Sequence, residues 1–297
     1  MHQAIGTTAS QAASRESWLL IFNCQVLGLA NSLNLLTDEV RVEHYDPAGF
    51  RNNSDDVLRR WDTYDRVLVA PQLLSLLPEE FAGSEKIWKI PTISFNAYHP
   101  DICHLRSEGK SFKGPLGDYH SCLGYAAFQL GLSVDEACRL YNETTYAQLG
   151  YLDRWNAAKK QLLDTFAEEN LDLRLQFANW SRNGAFMYSS NHVKIHCLVD
   201  VAKAILDRAG KKVAYETAIP HDNLMNGPVF PIYPEIGAQL GAQGNYLFKL
   251  GGKYEFIRLP EFLAESFDLY SRQPEVTVFA QHAHLVDRAL GFVGSRK

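Results

Sequence analysis

The N-terminal third of the chain alternates between two hydrophobic periods. Residues 18–22 (Trp-Leu-Leu-Ile-Phe) form a short unbroken apolar run, the pattern of a strand buried on both faces. Residues 25–36 follow with Val26, Leu29, Ala30, Leu33 and Leu36 at helical spacing, residues 40–45 alternate as a strand does, and 55–62 return to the helical period. Residues 66–70 (Arg-Val-Leu-Val-Ala) and 90–95 predict a second and a third buried strand. Strands separated by short helical stretches predict βαβ units and a parallel sheet.

Beyond Gly109 the helical period takes over. It predicts helices over 121–130, 133–141 and the long stretch 151–180, the second opened by a Ser133/Glu136 capping box. Residues 191–209 carry Ile195, Leu198, Val199, Ala202, Ile205 and Leu206 in a stripe that ends at Gly210. A short strand over 212–215 is expected to return to the sheet. Pro228, Pro231 and Pro234 predict a rigid loop, and late helices cover 260–271 and 278–292. The fold class predicted is α/β and rich in helix: a parallel, Rossmann-like sheet in the N-terminal part with a large helical insertion or cap at about 110–190. No repeat or linker divides the chain, so residues 17–297 are expected to form one domain. Residues 1–16, an Ala/Ser/Thr/Gln mixture with no basic leader, read as a flexible tail.

Composition narrows the function more than the fold. With 46% apolar and 21% charged residues the chain has the ordinary globular mixture, which excludes a disordered or fibrous protein. A formal net charge of −5 offers no basic face, which argues against nucleic acid. No apolar run approaches the roughly 18 residues of a membrane span. Five cysteines in 297 residues are too few for a disulfide scaffold, and the odd number suits a reducing compartment, so a cytoplasmic protein is expected.

Several familiar chemistries are absent. The chain contains no G-x-x-x-x-G-K-[ST], no G-x-G-x-x-G and no G-x-S-x-G. His192 and His196 have the spacing of a zinc helix, but Val193 and Lys194 stand where that motif carries its glutamate, so no metal is expected. Asn23-Cys24-Gln25 is the strongest constellation, because it lies where the first strand should hand over to a helix, the edge at which open α/β sheets bind ligands. A thiol there meets the positive end of the helix dipole, which favours thiolate. The N–H groups of the first turn, with neutral Asn23 and Gln25, suit a developing oxyanion. The alternative is a small, buried, apolar cysteine.

Three further clusters belong beside it. Asn96 to Asp101 follows the third strand candidate on the same edge, and His99 before Pro100 is held extended, although an ordinary polar turn would read alike. Gly117-Asp118-Tyr119-His120-Ser121 opens a helix, with Ser121 suited to an N-cap and His120 to a general base. In Ser189-Ser190-Asn191-His192 the histidine falls at the start of a helix and at the margin of its apolar stripe, facing a cleft or solvent. His44, His221, His282 and His284 lack such context, and His104 has no partner at metal spacing.

In order, an Asn-Cys-Gln strand end, a His-Pro-Asp element, a Tyr-His-Ser helix opening and an Asn-His pair followed by Gly-Pro-Val-Phe-Pro resemble the WcbI family. These are bacterial capsular polysaccharide biosynthesis proteins regarded as acetyltransferases. The resemblance runs from Trp18 to about Leu250 and implies coenzyme A or acetyl-CoA as co-substrate, with O-acetylation of a capsule sugar. It points to Asn23, Cys24 and Gln25, to His99, Pro100 and Asp101, to Tyr119, His120 and Ser121, and to Asn191 and His192. The strand-end cysteine stands where SGNH-type hydrolases carry serine, so the sheet is expected to be Rossmann-like or SGNH-like, although the usual Gly-Asp-Ser is missing.

Chemistry then suggests roles. His120 or His192 serves as general base, and Cys24 either accepts the acetyl group or positions the thioester. Asn23, Gln25, Asn96, His99, Asp101, Tyr119, Ser121 and Asn191 bind substrate or the oxyanion. Arg106, Lys110 and Lys113 are the nearest cations for the phosphates of coenzyme A, unless they are plain solvated loop charges. The expected partners are a CoA thioester and a carbohydrate acceptor, with room for a homo-oligomer. A hydrolase of the esterase class and a non-catalytic carbohydrate-binding protein of the assembly pathway are the alternatives.

Overall fold

Alternate side chains of the first strand feed two separate cores, which puts that strand at the centre of the sheet. In the computed structural model, which describes residues 15–273 and 275–295, β1 (Glu16–Ile21) sends Trp18 and Leu20 to one face and Leu19 and Ile21 to the other. All but the last two residues of the expected 1–16 tail lie outside the described residues. After β1 come α1 (Val26–Leu36), β2 (Val40–Tyr45), α2 (Pro47–Arg59), β3 (Arg66–Val69), α3 (Glu79–Ala82) and β4 (Ile87–Lys89). The four strands are parallel in the order β2-β1-β3-β4. The chain leaves β1 to one side for β2 and returns to the other side for β3. The topological switch therefore lies between the carboxyl ends of β1 and β3, where open α/β sheets hold ligands.

Both faces of the sheet are covered, as parallel sheets require. Leu29, Leu33 and Leu36 of α1 close one face together with α9 (Ile195–Arg208), whose Leu198, Ala202 and Ile205 are fully buried. The two helices approach so closely that a Cβ on Gly28 would lie 2.6 Å from Leu198. Phe50 and Val57 of α2 close the other face. Each large apolar side chain so buried stabilises the fold by roughly 1.5–3 kcal/mol.

Short pairings and helices complete the chain. β5 (Ile102–Cys103) pairs with β8 (His120–Ser121), while β6 (Leu105–Ser107) and β7 (Lys110–Ser111) form a hairpin that β11 (Thr277–Val278) joins. α4 (Cys122–Gln129), α5 (Val134–Cys138), α6 (Glu143–Gln148), α7 (Arg154–Glu168) and α8 (Arg174–Arg182) occupy the middle. α10 (Pro234–Leu240), the hairpin β9 (Leu247–Lys249) and β10 (Phe256–Arg258), then α11 (Leu259–Ser271) and α12 (Ala283–Gly294) follow α9.

The structure corrects five expectations. The third strand is 87–89 rather than 90–95: the Ile90 N–H still reaches the Val69 carbonyl, but Pro91 has no N–H to continue the ladder. The 55–62 helix begins earlier, at Pro47, because Asp46 caps the Gly49 N–H and proline suits a first helical turn. The 151–180 helix is two helices, broken where Asn170 adopts φ 59°. Residues 212–215 form no strand, since the N–H groups of Ala214 and Tyr215 both serve the Leu36 carbonyl at the end of α1. Finally, α9 starts at Ile195 rather than 191, because Met187 and Val193 form an antiparallel bridge that holds the intervening residues in a tight loop.

Candidate functional site

Cys24 stands in the turn between β1 and α1. Asn23 shapes that turn, its carbonyl accepting from the Val26 N–H at 2.9 Å and its Oδ1 from the Gln25 N–H at 3.0 Å. Cys24 is an exposed residue and borders a cleft of about 510 Å³ beyond the carboxyl end of β1. His192, Asn191, Tyr119 and His104 line that cleft with Cys24, and Lys113 and Asp118 stand among its other walls. Cys24 thus shares its cleft with an imidazole from the 187–193 loop, far downstream in sequence.

Each wall has its own fastening. The Tyr119 hydroxyl donates to Asn191 Oδ1 at 2.6 Å, and the His192 ring meets Tyr119 edge-on at 5.5 Å between centroids. Gly227 backs onto the same imidazole, where a Cβ would come 3.3 Å from Nδ1. His192 Nδ1 itself is buried with no hydrogen-bond partner among the described residues. Gln25 binds the assembly together: its Nε2 donates to the carbonyls of Ile93 (2.7 Å) and Asn191 (2.9 Å), while its Oε1 accepts from the Ile93 N–H (3.1 Å).

Electrostatics leave the two central groups neutral. Burial pulls the His192 imidazole down to about 4, opposed weakly by the Asp118 carboxylate. Partial burial pushes the Cys24 thiol up to about 11 despite hydrogen bonds from its own N–H and that of Gln25. The expectation that the helix start would favour thiolate is therefore corrected: the first-turn N–H groups pull in that direction, but desolvation outweighs them. Asp118 is held below the usual carboxylate range, because hydrogen bonds from Lys113 and Ser111 overcome its partial burial.

Several nominated residues lie elsewhere. His120 does not face the cleft: it is fully buried, its Nε2 paired with the Phe112 carbonyl and its Nδ1 with the Tyr270 hydroxyl, both at 3.0 Å. With both ring nitrogens committed it is a packing group, which removes it as the base. Asp101 is buried in a hub where its carboxylate accepts from Ser121, Tyr151, Tyr233 and the Leu123 N–H. Ser121 caps α4 through the Gly124 N–H at 2.8 Å, as an N-cap should. Gln25, with its side chain wholly engaged, is a clamp rather than an oxyanion donor. Asn96 and His99 line a smaller adjoining pocket.

The lining suits the two ends of a CoA thioester unequally. Neutral Cys24, His192, Asn191 and Tyr119 suit an acyl group. Lys113 is the cation in the lining and is already paired with Asp118, while Lys110 sits exposed on the β6–β7 hairpin. Sequence reasoning missed His104, Phe279 and Gln281, which complete the cleft. Gln281 and Phe279 arrive from the segment before α12. The only signal there was the polar cluster Gln281-His282-Ala283-His284 ahead of an amphipathic helix.

Comparison with known proteins places these features in context. The family model described as "Polysaccharide biosynthesis enzyme WcbI" matches residues 17–213. A solved structure of WcbI, described as a novel polysaccharide biosynthesis enzyme in its native form without a disulfide between coenzyme A and a cysteine, superposes with a TM-score of 0.65. The two chains share 14% identity, with 94% of this chain and 96% of that one covered, so the likeness establishes the fold. No curated protein matches significantly. Among the described residues, no helix is long and apolar enough to cross a membrane.

Proposed function

The chain belongs to the WcbI family of polysaccharide biosynthesis enzymes, and from that premise we propose that it transfers an acetyl group from acetyl-CoA to a sugar hydroxyl in the cleft at the carboxyl end of β1. The observation that carries this reading is that Cys24 shares one cleft with the neutral imidazole of His192. The solved relative, described in terms of coenzyme A and a cysteine, supports the same co-substrate here.

In this reading His192 takes the proton of the attacking hydroxyl. The acceptor oxygen bonds to the thioester carbonyl carbon, the carbon–sulfur bond breaks, and the imidazolium returns its proton to the departing thiolate. Asn23 Oδ1 already occupies the Gln25 N–H, so the Cys24 N–H, turned from its own sulfur to the substrate, is the donor of that turn for the oxyanion, usually worth about 3–4 kcal/mol. Cys24 positions the thioester. In a two-step variant it first passes its own proton to His192 and carries the acetyl group as a thioester of its sulfur.

A thermal-shift titration with coenzyme A tests the reading. Ligand at 100 times its dissociation constant stabilises the fold by about 2.7 kcal/mol. Intact-mass measurement with acetyl-CoA alone then separates the routes, since the two-step variant adds one acetyl group that Cys24→Ser abolishes. Absence of any coenzyme A shift overturns the reading.

A further inference from the structure

Behind the wall formed by His104, Asn191 and Gln281 lies a second, smaller pocket of about 220 Å³. Those three residues line both spaces, so the two pockets adjoin across their side chains. Ser94, Asn96, Ser190 and His282 contribute the other polar groups of the small pocket, with Ile102 and Leu285 as apolar surface. Its lining contains no Lys, Arg, Asp or Glu, in contrast to the larger cleft with Lys113 and Asp118.

His99 supplies an independent pointer to a ligand. The ring is only 2% exposed and packs edge-on against Phe230, and its Nδ1 has no hydrogen-bond partner. The ring also hydrogen-bonds the Phe230 backbone; a buried ring nitrogen is seldom left unmet, and this one belongs to a residue of the pocket lining. Burial holds the His99 and His282 rings neutral, at about 3 and about 4, so they add no charge. Among the described residues no three His, Cys, Asp or Glu side chains converge to hold a metal ion. The amides and hydroxyls of Asn96, Asn191, Gln281, Ser94 and Ser190 both donate and accept, as sugar hydroxyls do.

We propose that this pocket is the acceptor subsite: it takes one ring of an uncharged sugar, a neutral pyranoside unit, and presents a hydroxyl past Asn191 to Cys24 and His192. An acidic sugar or a phosphate would find no cation in it. The assignment rests on the acyl-transfer reading above and divides the site into a charged compartment for the thioester and a neutral one for the acceptor.

Saturation-transfer NMR on the full chain tests it. The probes are methyl α-glucopyranoside, methyl β-galactopyranoside and methyl α-mannopyranoside, each with and without coenzyme A, and glucuronate as the charged comparator. Asn96→Leu alters the wall and Ser94→Trp the exposed rim, and neither residue lines the larger cleft. At least one neutral glycoside should give saturation transfer and glucuronate none. Either variant should weaken the glycoside by about tenfold, the equivalent of one or two hydrogen bonds, while calorimetry finds coenzyme A affinity unchanged. No signal from any of the three glycosides, or a signal that survives both variants, overturns the subsite. Glycoside binding that the variants abolish, in a protein that does not bind coenzyme A, would instead support the subsite and overturn the acyl-transfer reading.

Discussion

A thiol pushed up to about 11 and an imidazole pulled down to about 4 face the same cleft as two neutral groups, and this sets how the site must work. Waiting for solvent to deprotonate Cys24 would make the rate rise about tenfold per pH unit toward alkaline pH. Proton transfer to or through His192 predicts a flat profile instead, because the imidazole is neutral throughout the neutral range and protonates only near 4. Acetyl transfer is therefore expected to be level between about pH 6 and 9. His192→Ala should lower kcat by about 10²–10⁴-fold with coenzyme A affinity retained, while His120→Gln should leave kcat near wild type at neutral pH in the folded fraction. Steady-state kinetics across pH check all three expectations. A steep alkaline rise would show that free thiolate, not the His192 route, limits the reaction. The cysteine was legible because strand end, polar flanks and helix start coincide at one position. The two candidate bases were not separable in sequence, since His120 and His192 differ only in what surrounds them in space: Tyr270 and Phe112 for one, an open cleft for the other.

Among the elements, the cleft exists because Gln25 ties three segments that never meet in sequence. Its amide joins the start of α1 to the 93 and 191 backbones, and the Phe95 N–H adds a bond to the Ser190 carbonyl at 2.8 Å. Gln25→Ala removes three hydrogen bonds, two of them buried, which together stabilise by about 3 kcal/mol, and releases the loop that carries Asn191 and His192. Urea denaturation should show that loss, and the coenzyme A thermal shift should shrink along with it. A destabilised variant that binds coenzyme A as tightly as wild type would mean the clamp supports the fold but not the cleft. Helix periods, the alternation of β2 and the unbroken apolar runs of β1 and β3 could be read from the chain because burial on one face or on both writes its own pattern into the sequence. What the sequence hid were interruptions set by single residues, Pro91 at β4 and the left-handed Asn170 between α7 and α8, and the bridge that turns residues 188–192 into a loop.

For the whole molecule, the burial of uncharged histidines ties stability to pH. Desolvation pulls His99 down to about 3 and His120 to about 4, from an ordinary value near 6.5. Above pH 6.5 these rings are neutral in folded and unfolded chain alike and contribute no pH dependence. Between 6.5 and about 4 the unfolded chain takes up protons that the folded chain refuses. Stability is thus fully present above 6.5 and falls as the pH drops, by roughly 2 kcal/mol per ring at pH 5. Asp101 works in the opposite sense, because burial raises its carboxyl against four hydrogen bonds, so the folded chain binds that proton first on acidification. A single wild-type curve would mix the two effects, but a variant separates them. His120→Gln replaces the titrating ring and leaves Asp101 in place, so the stability lost between pH 7 and pH 5 in urea unfolding should be smaller than in wild type by roughly 2 kcal/mol. An unchanged loss would mean that His120 takes up its proton in the folded protein, its Nδ1 then donating to the Tyr270 hydroxyl while its Nε2 keeps the bond to the Phe112 carbonyl.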